Sequence, residues 1–185
     1  MPSPLLLDRA EAVLCVVDIQ EKLLARMPEK EAVIARAVQM VAAAERLGVP
    51  LILTEQYPRG LGRTVIELMT VLGERYRPVE KLSFGCGGEP AFLEALKETR
   101  RKQVALCGVE THICVLQTCM ELLERKYRVH ILADACCSRK AEHNELALAE
   151  MRQRGAVITC VESAVFQLLG RAGTPEFKDI LDLIK

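Results

Sequence analysis

Continuous apolar runs and helix-spaced apolar positions take turns along the chain. The segment AVLCVVD (12–18) is an unbroken apolar run rich in Val, the pattern of a strand covered on both faces. Apolar residues at helical spacing follow over 29–48 and stop at Gly48, which suits the left-handed position after a helix end. The same reading predicts strands over 49–55, 77–81, 103–108, 128–134 and 156–162. It predicts helices over 64–72, 90–101, 111–125, 141–155, 163–169 and 174–184. Pro90 and Pro175 fall at first-turn positions, with Thr174 as the cap of the last helix. Strands alternating with helices imply an α/β fold: a three-layer α/β/α domain around a Rossmann-like central sheet of about six parallel strands. No repeat, low-complexity tract or long linker divides the chain, so residues 1–185 read as a single domain.

Composition narrows the function classes. Half the residues are hydrophobic (50%) and 27% are charged, enough of each for a globular core with a solvated surface. Lys plus Arg equals Asp plus Glu at 25 each, so there is no clustered basic excess for nucleic acid, and the balance suits self-association. The opening MPSPLLLDRAEAVLCVVDIQ has no basic leader and interrupts its apolar stretch with Asp8 and Arg9, so no secretory signal is expected. No apolar run reaches the roughly 18 residues a membrane helix needs. Eight cysteines without a secretory signal point to reduced thiols in the cytoplasm. Cys15, Cys107, Cys119 and Cys160 sit in apolar patterns, where a free thiol packs as a small hydrophobe.

Parallel sheets bind ligands beyond the carboxyl ends of their strands. That rim holds Asp18 and Gln20, Glu55 to Tyr57, Lys81, Glu110 to Cys114, and Asp134. A carboxylate, an amine and a thiol at one rim make a coherent set. A helix N-terminus favours thiolate, a carboxylate can take the thiol proton, and an ammonium keeps that carboxylate ionised. Such a thiol is expected to ionise well below pH 8.5 (the unperturbed value is about 8.5). Taken singly, each residue also has an ordinary reading: Asp18 as a loop cap, Lys81 as a solvated charge, Cys114 as packing.

The other candidates are weaker. His112 lies two residues before Cys114, and positions i and i+2 do not face each other on a helix. His130 falls inside a strand and is expected to pack; His143 lies on a helix and is expected to face solvent. The Gly-rich FGCGGEP (84–90) lacks the Lys-Ser/Thr ending of a phosphate loop and reads as a flexible loop with Phe84 lining the pocket and Cys86 exposed. Adjacent Cys136 and Cys137 make a poor chelate, and Asp134 is expected to hold the neighbouring loop by hydrogen bonds.

The segments VVDIQ (16–20), VEKLSFG (79–85) and GVETHICVLQT (108–118), in this order at strand ends, resemble the isochorismatase-like cysteine hydrolases. TEQYPRGLG (54–62), DACCSR (134–139) and GTPEFKDIL (173–181) extend the likeness to a metal-free subgroup. The resemblance implies a catalytic triad at Asp18, Lys81 and Cys114. It also implies a cis peptide between Val109 and Glu110 and an oxyanion hole from the N–H groups of Glu110 and Cys114. Gln20, Tyr57, Phe84 and Glu110 are the candidate substrate contacts. The implied activity is hydrolysis of a small amide or related C–N bond, by a homo-oligomer acting on a small molecule rather than on nucleic acid or membrane. Nicotinamidases of this superfamily carry an Asp-x-His metal pair where this chain has Glu55-Gln56-Tyr57, so no metal or other cofactor is expected. The Glu110 side chain leaves two readings open: a selector for cationic substrates, or a solvent-facing group. A non-catalytic or redox-sensing interaction protein on the same fold is the alternative from a different class.

Overall fold

A computed structural model describes residues 6–184; residues 1–5 and Lys185, part of the expected single domain, lie outside the described residues. The strands are β1 (Ala12–Val17), β2 (Leu51–Gln56), β3 (Val79–Lys81), β4 (Gln103–Val109), β5 (Arg128–Cys137) and β6 (Val157–Thr159). All pair in parallel, in the order β3-β2-β1-β4-β5-β6. Every residue of β1 and β4 is buried, as their unbroken apolar runs require.

Nine α-helices are found among the described residues: α1 (Glu21–Leu24), α2 (Lys30–Arg46), α3 (Pro58–Leu61), α4 (Ile66–Leu72), α5 (Pro90–Glu98), α6 (Leu116–Glu124), α7 (Ala141–Gln153), α8 (Val161–Leu169) and α9 (Phe177–Ile184). Helices α4, α8 and α9 gather around α2 on one face of the sheet, while α6 packs with α7 on the other. The architecture is therefore the three-layer α/β/α expected. Gly48 takes φ 65 just past α2, as its position after the helix predicted.

The departures lie at element ends. The helix expected over 111–125 opens with a π-helical turn, Thr111–Val115, before α6 begins. Strand β5 runs three residues beyond Asp134, to Cys137. The last strand stops at Thr159, because Val161 N–H donates to Asp134 Oδ1 (2.8 Å) and begins a helix there. Asp134 thus anchors the next segment, as expected. Helix α9 starts at Phe177, so Thr174 does not cap it. The one-turn helices α1 and α3 were missed, being too short to show a period.

Order β3-β2-β1-β4-β5-β6 reverses direction between β1 and β4, so the chain diverges there and leaves a crevice at their carboxyl ends. The two strands touch closely at that point: Val17 is paired with Gly108, whose φ is +136, and a Cβ on Gly108 would overlap the Val17 carbonyl. We expect Gly108→Ala to cost more than about 2 kcal/mol in stability by urea unfolding, since both the left-handed backbone and the backbone overlap oppose a side chain. A loss of only a few tenths would contradict the close approach.

Candidate functional site

Asp18 follows β1 in a left-handed conformation (φ 53), tolerable for Asp because its short polar side chain bonds locally. Its side chain is fully buried. Oδ1 accepts from Thr54 Oγ1 at 2.7 Å, and Oδ2 faces Lys81 Nζ at 2.7 Å. Lys81 is as deeply buried, and its ammonium also donates to Gln56 Oε1 (2.7 Å) and to the carbonyls of Ser83 (3.1 Å) and Phe84 (2.9 Å). A buried ammonium needs such a set of acceptors, because its desolvation is otherwise uncompensated. Cys114, 5% exposed, sits in the π-helical turn with its thiol within hydrogen-bonding reach of Asp18. The fold therefore brings together all three chemistry-bearing residues singled out in the sequence. The Val109–Glu110 peptide is cis.

A cavity of about 440 Å³ opens over this group. Cys114 lines it, with Lys22, Leu23, Arg26, Met27, Gln56, Leu61, Phe84, Glu110, Ile113 and Arg139 among the others; Asp18 and Lys81 stay behind the thiol. Short helices α1 and α3 form one wall, tied by Lys22 Nζ donating to the Gly60 carbonyl (2.9 Å).

Similarity to known proteins follows the same outline. A family model described as the isochorismatase domain matches residues 12–163. The chain belongs to the isochorismatase family. Among its relatives is a secreted isochorismatase effector of Phytophthora sojae, 42% identical over 94% of this chain and 84% of that one. Isochorismatase domain-containing protein 2 of Homo sapiens is 41% identical over 94% of this chain and 83% of that one. A solved structure described as MAR1 ribonuclease from Caenorhabditis elegans superimposes with TM-score 0.91 at 36% identity, covering 97% of this chain and 92% of that one.

Within this isochorismatase-family chain, several expectations need correction. Gln20 does not reach the cavity: its amide donates to the carbonyls of Gln56 (3.0 Å) and Gly62 (2.7 Å) and accepts from Gln56 N–H (2.7 Å). It is a fully buried strut holding the pocket wall. Tyr57 is half exposed and lies against Gly60, outside the cavity. Phe84 does line the cavity. Glu110 lines it too, but fits neither reading given above: its Oε2 accepts from Arg139 N–H (3.0 Å) and Nε (3.1 Å), so its charge is already paired.

The thiol also differs from expectation. Burial pushes Cys114 up to about 12, and the Asp18 charge adds to this, against the pull of Lys81. Desolvation and the Asp18 carboxylate thus favour the thiol form, against the lowering expected of a helix N-terminus. Burial likewise raises the Asp18 carboxyl, against Lys81 and three hydrogen bonds. Burial acts to lower Lys81, but the Asp18 carboxylate and its neighbours outweigh it and the net shift is upward.

Cys86 is fully buried rather than exposed, its N–H bonded to Thr118 Oγ1 (3.0 Å). The glycine loop around it is tied to α6: Gly87 N–H donates to Glu121 Oε2 (2.6 Å), and a side chain at Gly85 would overlap Glu121. His112 bonds Ser138 Oγ (2.9 Å) and lies 4.8 Å from the half-buried His143 ring, so His143 does not simply face solvent. His130 packs in β5, its ring pushed down to about 4 by burial and by Arg128. Glu55, at the place of the nicotinamidase metal pair, spends Oε1 on Thr64 N–H, Thr64 Oγ1 and Tyr76 Oη. Thr54, Gln56, Ser138 and Arg139 were not singled out for these roles, since each acts through a partner distant in sequence.

Replacing Lys81 with Met should cost roughly 3–5 kcal/mol by urea unfolding at pH 7, because Asp18 is left buried without its cation. Adding Asp18→Asn should restore part of that loss. If Lys81→Met lost less than about 1 kcal/mol, the pair would be behaving as an exposed one.

Proposed function

We propose that this chain is a cysteine hydrolase of a small amide or related C–N substrate. The reading rests on one observation: a fully buried Asp18–Lys81 pair stands directly behind a thiol that opens onto a pocket. A protonated thiol is a poor nucleophile. Its proton therefore passes to Asp18 as Sγ attacks the carbonyl carbon, with no separate thiolate formed beforehand. The N–H groups of Glu110 and Cys114 hold the developing oxyanion. Asp18 returns the proton to the leaving nitrogen as the C–N bond breaks, leaving a thioester. Water then attacks the thioester and gives a proton to Asp18, and this proton goes back to Sγ as the C–S bond breaks. The net reaction is amide plus water to acid plus amine. Lys81 holds Asp18 ionised and oriented throughout.

No group of three metal-binding side chains occurs among the described residues, and we assign no metal or cofactor to the reaction. A pocket of about 440 Å³ suits a small molecule. No helix among the described residues is long and apolar enough to cross a membrane. Eight free thiols suit a reducing compartment, and we assign the protein to the cytoplasm, although the Phytophthora sojae relative is named as secreted. Exposed Leu82 and Phe84 beside the pocket suit a homo-oligomer.

Release of ammonia from a panel of small primary amides tests the mechanism. Cys114→Ala should abolish turnover, and full activity in that variant would overturn it. Asp18 must be ionised to act, and its carboxyl is raised, so kcat/KM should fall as pH drops through a point above the ordinary carboxylate range. Lys81→Met should move that acid limb further upward; an unmoved limb would separate Lys81 from the chemistry.

A further inference from the structure

The cavity walls carry an uneven charge. Lys22, Arg26 and Arg139 line the cavity, against a single carboxylate, Glu110. Glu110 is already bonded to Arg139 through one oxygen, which engages only Nε of that guanidinium. Lys22 gives one donor to Gly60, and an ammonium has three. Arg26 forms no side-chain hydrogen bond or ion pair among the described residues. The buried Asp18–Lys81 pair below the thiol adds no net charge. The cations also flank the thiol. Lys22 and Arg26 come from the segment after β1, Arg139 from the segment after β5, and Cys114 from the turn after β4, the strand between them.

The remaining lining is largely apolar: Leu23, Met27, Leu61, Phe84 and Ile113. Lys22, Arg26 and Arg139 are exposed at the cavity mouth, where an incoming anion and added salt both reach them. A guanidinium with no partner among the described residues offers the forked donors that match a carboxylate or a phosphoryl group. We propose that the substrate is a small amide bearing an anionic group, carboxylate or phosphoryl, held by Arg26 with Lys22 and Arg139 while its carbonyl meets Cys114. This inference rests on the cysteine-hydrolase reading for the carbonyl end of the substrate. The anionic end stands on the lining charges alone. A cavity of about 440 Å³ suits a small molecule, whereas a nucleic acid strand would need a continuous basic surface.

Calorimetry on the full chain carrying Cys114→Ala, repeated with Cys114→Ser, separates the two questions. The ligands are butanamide, succinamate and 3-phosphonopropanamide, which share an amide and a spacer and differ in the distal group. At least one anionic amide should bind about tenfold or more tightly than butanamide, the worth of one charge-assisted hydrogen bond. Arg26→Gln and added salt should each narrow that gap. Whichever of the two anions gains more identifies carboxylate or phosphoryl. Equal binding of all three, or a gap that Arg26→Gln leaves intact, would overturn the proposal. So would a short oligouridylate that binds more tightly than either small anion and displaces it. Turnover of the same amides by the unmodified protein reports on the mechanism alone: an anion-selective pocket with no hydrolysis would sink the cysteine-hydrolase reading and leave the anion site standing.

Discussion

The ion pair between Asp18 and Lys81 constrains more of this molecule than any other contact. Two opposite charges with no solvent exposure are tolerable only when their geometry is close and their remaining hydrogen-bonding capacity is met. Thr54 meets the second carboxylate oxygen; Gln56, Ser83 and Phe84 meet the ammonium. Those acceptors are drawn from the end of β2 and from the loop that follows β3. Satisfying one buried cation therefore fixes the strand ends and turns Phe84 to the pocket mouth. Gln56 in turn donates to the Leu82 carbonyl, and its N–H donates to Gln20 Oε1 while its carbonyl accepts from Gln20 Nε2, so the same network reaches the wall formed by α1 and α3.

This network also sets the character of the thiol. Cys114 is as buried as a core residue, and that burial together with the Asp18 carboxylate favours the proton on sulfur, against the pull of Lys81. A design of this kind stores no reactive thiolate. It holds the acceptor for the proton next to the sulfur, so that ionisation accompanies attack on a bound carbonyl. The pull of a helix N-terminus toward thiolate is opposed here, because the macrodipole contributes at most a few kcal/mol and desolvation of a buried thiol is of comparable or greater size.

Charges nearer the surface act differently. Glu110 and Arg139 face each other across the chain's approach to the nucleophile, and Ser138, the neighbour of Arg139, is hydrogen-bonded to His112. The extension of β5 past Asp134 delivers both residues. Adjacent positions on one strand end thus hold both sides of the turn that carries Cys114. Lys22 and Arg26 complete the mouth from the far side, and Arg26 has no side-chain partner among the described residues.

The alternation of apolar runs with helical periods was enough to determine the layered parallel sheet, because a strand buried on both faces and a helix buried on one leave different repeats. It was also enough to bring Asp18, Lys81 and the turn before Cys114 to one rim, since parallel strands all end on the same side. The element ends were not legible: Val161 begins a helix because of a hydrogen bond from Asp134, and α1 and α3 are one turn long. Nor could the sequence tell Gln20 as a strut from Gln20 as a substrate contact, or pair Glu110 with Arg139, 29 positions away. Periodicity reports which face of an element is buried and is silent on which buried polar group meets which. Only the tertiary structure decided those pairings, and with them the protonation of Cys114 and the charge of the pocket, because desolvation and hydrogen-bond partners are properties of the assembled site.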